Sequence, residues 1–335
     1  MMGPHGGGNM RLATLSDGLK VSFEFFPPKT DKAADQLWRA LKRLEPMQPQ
    51  FVSVTYGAGG TTRQRTHETV NRINRDSELK CAAHLTCVGA SRAEIDEVAQ
   101  QYWDTGVRHI VALRGDAPEG EDGYHPHPDG YANAAALVEG LKRIADFEIS
   151  VAAYPEIHPD SPSSQADLDN LKRKIDNGAD RAITQYFFDA DTYLRFLDRV
   201  RAAGIWVPVI PGILPVTNFD TVVRFSAMCG AAVPAWLAHL FEGLEDDAET
   251  RRMVAATVAA DQCRRLQQAG VNEFHFYTLN RADLTYAICH ILGLRPAASW
   301  AHARERDRQA AAERGEAIAA TPATAGSGDD SKIAG

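Results

Sequence analysis

The sequence predicts an α/β fold, a closed (β/α)8 or TIM barrel forming a single domain. Three observations predict it: eight short β-type runs recur along the 335-residue chain, helix-type segments lie between them, and polar residues gather at the ends of the runs. The runs are VSFEFF, FVSVTY, CAAHLTC, HIVALRGD, ISVAAYP, AITQYFF, WVPVIPGIL and FHFYTLN. Most lie roughly 25 to 40 residues apart, the length of a strand, a helix and two turns. The last interval is near 70 residues and holds extra helical material such as PAWLAHLFEGL. Helix ends are legible in between: DKAADQLWRALKRLEP stops at Pro46, and SQADLDNLKRKIDNGA is followed by Gly178. The barrel is expected over residues 16–299, with a flexible Gly-rich leader over 1–15 and a flexible or partly helical tail over 300–335.

Strand alternation assigns faces. In VSFEFF, Val21, Phe23 and Phe25 share one face and Ser22, Glu24 and Phe26 the other. The apolar face should meet the surrounding helices, which turns Glu24 into the barrel. The same rule sends Ser53 and Thr55 inward against Val52 and Val54, and His84 and Thr86 inward against Leu85 and Cys87. In the fourth run Val111 and Leu113 are expected outward against Arg114 and Asp116, and in the fifth Val151 and Ala153 outward against Ser150 and Tyr154. Gln185 ends the sixth run, and Asn280 and Arg281 end the eighth. Polar groups therefore converge at the carboxyl ends of the strands, where barrel enzymes hold their active sites.

Taken singly, each residue has a plainer reading. Glu24 is compatible with a structural carboxylate paired to an arginine, and His84 with a satisfied core histidine. Their convergence favours a site. On the helix after the fifth run, Asp167, Asn170 and Lys174 fall on one stripe beside Leu168, Leu171 and Ile175; a solvated helix face is the equal alternative. The GAGGTT turn, residues 57–62, lacks the spacing of a Walker loop or a dinucleotide fingerprint. YHPHPDG, residues 124–130, has too few further ligands for a metal clamp, and no metal is assigned.

Composition bounds the function. Apolar residues make up 44% and charged residues 24%, and 36 basic against 44 acidic side chains give a net charge of −8, which argues against a nucleic-acid or anionic-membrane surface. The five cysteines, Cys81, Cys87, Cys229, Cys263 and Cys289, form no CxxC pair, so neither a disulfide framework nor a zinc site is indicated. No signal peptide or membrane-spanning run is visible, and a cytoplasmic location is expected.

The segments SFEFFPPKT, FVSVTYGAGG, AAHLTC, HIVALRGD, SVAAYPEIHP, ADLDNLKRKIDNGADRAITQYFFD, PGILPVTNF and FHFYTLNRADLTYAICHILG closely resemble bacterial 5,10-methylenetetrahydrofolate reductases, in order from about Val21 to Pro296. That family is a group of FAD-dependent (β/α)8 barrels. The resemblance implies reduction of methylenetetrahydrofolate to 5-methyltetrahydrofolate with NADH or NADPH through FAD, by ping-pong hydride transfer. It makes Glu24 the general acid that opens the imidazolidine ring, kept neutral by the aromatic setting of FEFF. It places Asp116 between flavin and pterin, disfavouring anionic reduced flavin and binding the pterin. The FAD contacts it implies are Thr55, Tyr56, Ala58, His84, Arg114, Gly115, Asp116, Ala132, Tyr154, His158, Asp167, Asn170, Arg173 and Lys174. The folate contacts are Gln185, Phe225, Tyr277 and Arg281, with Phe225 stacking on an aromatic ring and Arg281 near the aminobenzoyl-glutamate end. At Thr221 some bacterial relatives carry glutamine, so a contact there is weakened or replaced, and the 117–130 loop is long for the family. Partners are expected to be small molecules and a second copy of the chain in a homo-oligomer. Another barrel flavoenzyme, of proline-dehydrogenase type, and a non-catalytic flavin-binding protein are the rival readings.

Overall fold

A computed structural model describes residues 18–56, 63–117, 120 and 123–297. Neither the leader and tail nor the GAGGTT turn, with Ala58, falls among them. The described residues 18–295 make up the compact unit that holds the barrel.

The strands are β1 (Lys20–Phe25), β2 (Val52–Val54), β3 (Cys81–Thr86), β4 (His109–Leu113), β5 (Glu148–Ala153), β6 (Arg181–Thr184), β7 (Val209–Ile210), β8 (Gly212–Ile213) and β9 (Glu273–Tyr277). All pair in parallel, in the order β7-β6-β5-β4-β3-β2-β1-β9-β8. The two ends of that order are neighbours in the chain, joined through Pro211 alone. Proline has no N–H to give, so one barrel strand is divided there. Its carbonyl still accepts from His275 N at 3.0 Å, which ties the break to β9. The eighth run thus closes against the first, and the ring has eight positions, as the sequence predicts.

The helices α1 (Asp31–Leu44), α2 (Arg63–Asp76), α3 (Arg92–Asp104), α4 (Ala134–Ile144), α5 (Ser164–Asp176) and α6 (Ala190–Ala202) follow the first six strands in turn. Between β8 and β9 lie α7 (Phe219–Cys229), α8 (Ala235–Phe241) and α9 (Ala248–Gln268), and α10 (Ala282–Ile291) completes the ring. Local chemistry sets their ends. Thr30, Ser91, Asn133, Ser163, Asp189, Asn218 and Asp247 each accept a first-turn amide, and Ser91 with Glu94 forms a reciprocal capping box. Such caps matter because the first turn's amides have no partner inside the helix.

The main core lies between strands and helices. Val21, Phe23, Phe25, Val52, Val54 and Leu85 pack there with Leu37, Leu41, Leu137 and Leu141. Thus β1 to β3 face as alternation predicts. The fourth strand does not: Ile110 and Ala112 join the outer core, whereas Val111 lies in a separate interior cluster with Phe51, Ala82, Ile183 and Ile210, and Leu113 packs on it. The strand ends at Leu113, so Arg114 and Asp116 belong to a loop whose direction is set by Gly115 at φ +87°, and strand parity does not extend to them. Phe26 likewise lies beyond the end of β1 and is exposed.

Candidate active site

Glu24 points into the barrel near the carboxyl end of β1. The β1/β9 register sets Ser22 beside His275 and Glu24 beside Tyr277. Ser22 Oγ lies 2.8 Å from His275 Nδ1, and the other ring nitrogen, Nε2, stands 3.5 Å from Glu24 Oε2. His84 Nε2 approaches the same oxygen from β3 at 3.4 Å. Both approaches exceed a well-formed hydrogen bond, and both nitrogens are otherwise without a hydrogen-bond partner. One carboxylate oxygen is therefore shared between two imidazoles in a buried setting.

That arrangement corrects the aromatic setting expected for Glu24. Phe23 and Phe25 occupy the opposite face of the strand and pack outward, so they do not surround the carboxyl. Burial pushes the Glu24 carboxyl up, but the close approach of His275 and the positive charge that His84 and His275 carry when protonated outweigh it, leaving the carboxyl below its ordinary value. Burial likewise lowers His84, against the pull of Glu24. The free site thus favours an ionised Glu24 carboxylate rather than a neutral acid.

The β1 and β9 ends are locked together above this cluster. Thr278 donates to the Glu24 carbonyl from its amide at 3.2 Å and its hydroxyl at 2.6 Å. Asn280 accepts from Phe26 N at 2.8 Å and donates to Phe26 O at 2.9 Å. Tyr277 passes over the divided strand to donate to Thr184 O at 2.7 Å. Gly212 makes that crossing feasible, since a Cβ there would sit 2.2 Å from Thr184 O and 2.7 Å from the Tyr277 ring.

A second group assembles on the β4 and β5 side. Arg114 pairs with Asp160 at 2.7 Å, and its guanidinium lies 4.6 Å from the Tyr124 ring centre. Tyr154 packs edge-on against His158, ring centres 4.6 Å apart, and Asp167 accepts from His158 N at 3.2 Å. Burial raises the Tyr154 hydroxyl, and the charges of Asp116 and Asp167 raise it further, which puts those carboxylates close by. The stripe on α5 is not a solvated face: Lys174 is buried and donates to Ala152 O at 2.5 Å. Burial pulls its ammonium down to about 8 despite Asp167. Asn170 is half-buried and accepts from Arg173 at 3.4 Å.

The remaining predicted residues are spread around the same end. Thr55 is half-buried, with its carbonyl accepting from Thr66 Oγ1, and Tyr56 is buried. Ala132 and Asp116 are exposed. Gln185 is half-buried and borders a shallow surface recess with Tyr154, Glu156, Tyr186 and Cys229. Tyr277 and Arg281 border another with Pro215, Thr217 and Leu284. Phe225 stands on the exposed face of α7 at 51% exposure, one turn beyond Thr221, whose hydroxyl accepts from Arg224 at 3.4 Å.

Strand parity makes His275 and Ser22 legible, two positions before Tyr277 and Glu24 on the same inward faces, yet the sequence reading singled out neither as a site residue. Tyr124 and Asp160 carry no such signal, because loop partners follow from folding alone. Among the described residues, no group of three or more His, Cys, Asp or Glu side chains is arranged to hold a metal, and no helix is long and apolar enough to cross a membrane.

A parallel barrel with an ionisable cluster inside its mouth and a cationic, polar group on one rim defines an α/β-barrel enzyme of the kind that acts at strand ends. A model of the family "Methylenetetrahydrofolate reductase" matches residues 10–293, and the chain belongs to that family of oxidoreductases. It is 54% identical over 288 residues to 5,10-methylenetetrahydrofolate reductase of Pectobacterium carotovorum, covering 86% of this chain and 95% of that one. To the Escherichia coli K12 enzyme of the same name it is 53% identical, with the same coverage. A rice protein named "Probable methylenetetrahydrofolate reductase (NADH)" is 35% identical, covering 83% of this chain and 49% of that one. Among solved structures, a Clostridium thermocellum protein described as binding two copies of 5-methyl-5,6,7,8-tetrahydrofolic acid shares the fold at TM-score 0.56 and 13% identity, covering 84% of this chain and 96% of that one.

Proposed function

We propose that the chain reduces 5,10-methylenetetrahydrofolate to 5-methyltetrahydrofolate, using FAD as resident cofactor and NADH or NADPH as hydride donor, in a ping-pong cycle. The observation that carries the reading is the division of the barrel mouth into two chemistries: Arg114, Tyr154, His158, Asp167 and Lys174 on one side, Glu24 with its imidazoles and Tyr277 at the centre.

The first group fits a flavin dinucleotide. Arg114 and Lys174 supply positive charge suited to a diphosphate, while Asp167 and Asn170 suit ribose hydroxyls. Thr86 Oγ1 and Ser53 Oγ are buried without a hydrogen-bond partner, as expected of groups awaiting a polar ligand edge. Gly115, at φ +87° with a Cβ there 2.5 Å from Val88 Cγ1, fixes the turn that carries Arg114 and Asp116. Thr55, Tyr56, His84, Asp116, Ala132 and Arg173 complete the assigned contacts, and Ala58 lies outside the described residues. A flavin held there would supply two-electron hydride chemistry between the nicotinamide and the folate.

The protein's own part is to place the folate and move a proton. Gln185, Thr221, Phe225, Tyr277 and Arg281 hold the substrate, Phe225 by stacking and Arg281 near the glutamate end. Glu24 gives a proton to N10 of the imidazolidine ring, the C–N bond to N10 breaks, and the resulting N5 iminium accepts hydride to become the methyl group. Because the free Glu24 carboxyl is ionised, the substrate must bring the proton on: folate over the mouth excludes water, strips hydration from the carboxylate and raises its affinity for a proton, with His275 and His84 as adjacent conduits. Asp116 lies beside the reacting rings and binds the pterin.

The test is spectroscopic. Purified protein should be yellow, bleach on anaerobic NADH or NADPH, and recolour on methylenetetrahydrofolate, with parallel lines in initial-rate plots. A protein that reconstitutes with no flavin, or whose reduced flavin is not reoxidised by folate, overturns the proposal.

A further inference from the structure

Helix α7 carries Thr221 and Phe225, but little of it is packed. Only Val222 and Ser226 are buried, whereas Val223, Phe225 and Met228 are exposed. Its support is a cluster separate from the main core, built from Tyr186, Phe188, Val222, Ala231, Leu237 and Phe241. An apolar patch of this kind holds a helix against the barrel but leaves its rotation and slide weakly specified.

Polar contacts at the C-terminal end supply that specification. Glu156, in the loop after β5, accepts from the Ala232 amide through Oε2 at 2.9 Å, a bond spanning 76 positions in the chain. Next to it the backbones touch: Gly230 ends α7 at φ +75°, and a Cβ there would stand 2.8 Å from the Ile157 carbonyl oxygen. On the inner side the Tyr186 hydroxyl lies 3.1 Å from Ser226 Oγ and accepts from the Cys229 thiol at 3.4 Å. The loop held in this way also carries Tyr154 and His158, the flavin side of the mouth.

We propose that Glu156 is a positioning residue: its carboxylate pins the end of α7 to the β5 loop and so fixes where the Phe225 ring stands relative to the flavin side of the site. The inference rests on the function proposed above, because Phe225 matters here as a folate contact. Glu156 need not touch any reactant. A carboxylate on a backbone amide is a charge-assisted bond, directional enough to set a helix end. The amide belongs to an exposed residue and finds water once released, so the consequence is lost placement rather than an unfolded helix.

Glu156→Ala and Glu156→Gln in the full-length holoenzyme test it. The alanine variant should raise KM for methylenetetrahydrofolate roughly 3- to 10-fold. It should leave NADH oxidation by a small quinone acceptor unchanged within about 2-fold, and speed amide hydrogen exchange across residues 226–232. The glutamine variant keeps an amide oxygen in the same place and should restore both readouts most of the way. An alanine variant with wild-type folate KM and wild-type exchange overturns the proposal, as does a glutamine variant as impaired as alanine. Absence of folate turnover in the unmodified holoenzyme would instead remove the functional reading on which the proposal rests.

Discussion

Glu24 sits at the point where two imidazoles reach one oxygen, and its chemistry follows from that crowding rather than from its phenylalanine neighbours in the sequence. Because the free carboxyl lies below its ordinary value, an acid role requires proton uptake when folate binds. The folate half-reaction should therefore slow as pH rises, while the nicotinamide half-reaction, which asks no proton of Glu24, should stay flat over the same range. Glu24→Gln keeps the shape and removes the proton. We expect folate reduction to fall by at least about 100-fold, with flavin retained and NADH oxidation by an artificial acceptor preserved. Stopped-flow traces of the two half-reactions check both statements; equal losses in the two would show that Glu24 shapes the site rather than acting as its acid.

At the scale of elements, the barrel's weak seam is the strand divided at Pro211. Its two halves pair outward, β7 to β6 and β8 to β9, and chain continuity joins them. Gly212 is the residue that lets this seam close, because its N–H donates to Thr184 Oγ1 at 2.9 Å while the Tyr277 hydroxyl passes over it to Thr184 O. Gly212→Ala should destabilise the protein by about 2 to 4 kcal/mol, since the obstruction is a backbone carbonyl and an anchored ring, neither of which can yield cheaply. Urea unfolding measures it, and a loss below about 0.5 kcal/mol would contradict the close approach. The caps are a contrasting case. Ser91 and Glu94 act within a few residues, so their contribution is set by local sequence, whereas the Tyr277 contact joins residues 93 positions apart.

Across the whole molecule, the cationic side of the mouth stores a burial cost. Lys174 is held down to about 8 in the folded state from an ordinary 10.5. The unfolded chain therefore binds more protons between those values, and the contribution of Lys174 to stability is least below about pH 8 and grows as pH rises toward 10.5. Compared with Lys174→Met, the cofactor-free wild type should gain on the order of 3 kcal/mol across that window. Taking the difference between the two proteins removes groups that titrate in both. Denaturation at pH 7.5 and pH 10 checks the sign; a difference that does not change with pH would place the ammonium in water.

The barrel class, the eight strand positions, the inward direction of Glu24, Ser53 and His84, and the helix ends were all determined by the sequence. Each rests on a period or a cap that operates over a few residues. The folded chain alone decided that Val111 and Leu113 face inward and that Arg114 and Asp116 leave the strand at Gly115. It likewise decided that Lys174 turns beneath the rim, that His84 and His275 share the Glu24 oxygen, and that Glu156 meets an amide 76 positions away. Alternation fixes which way a side chain points, but its protonation depends on the charges and lost hydration around it. Those come from strands distant in sequence and meet only when the ring closes.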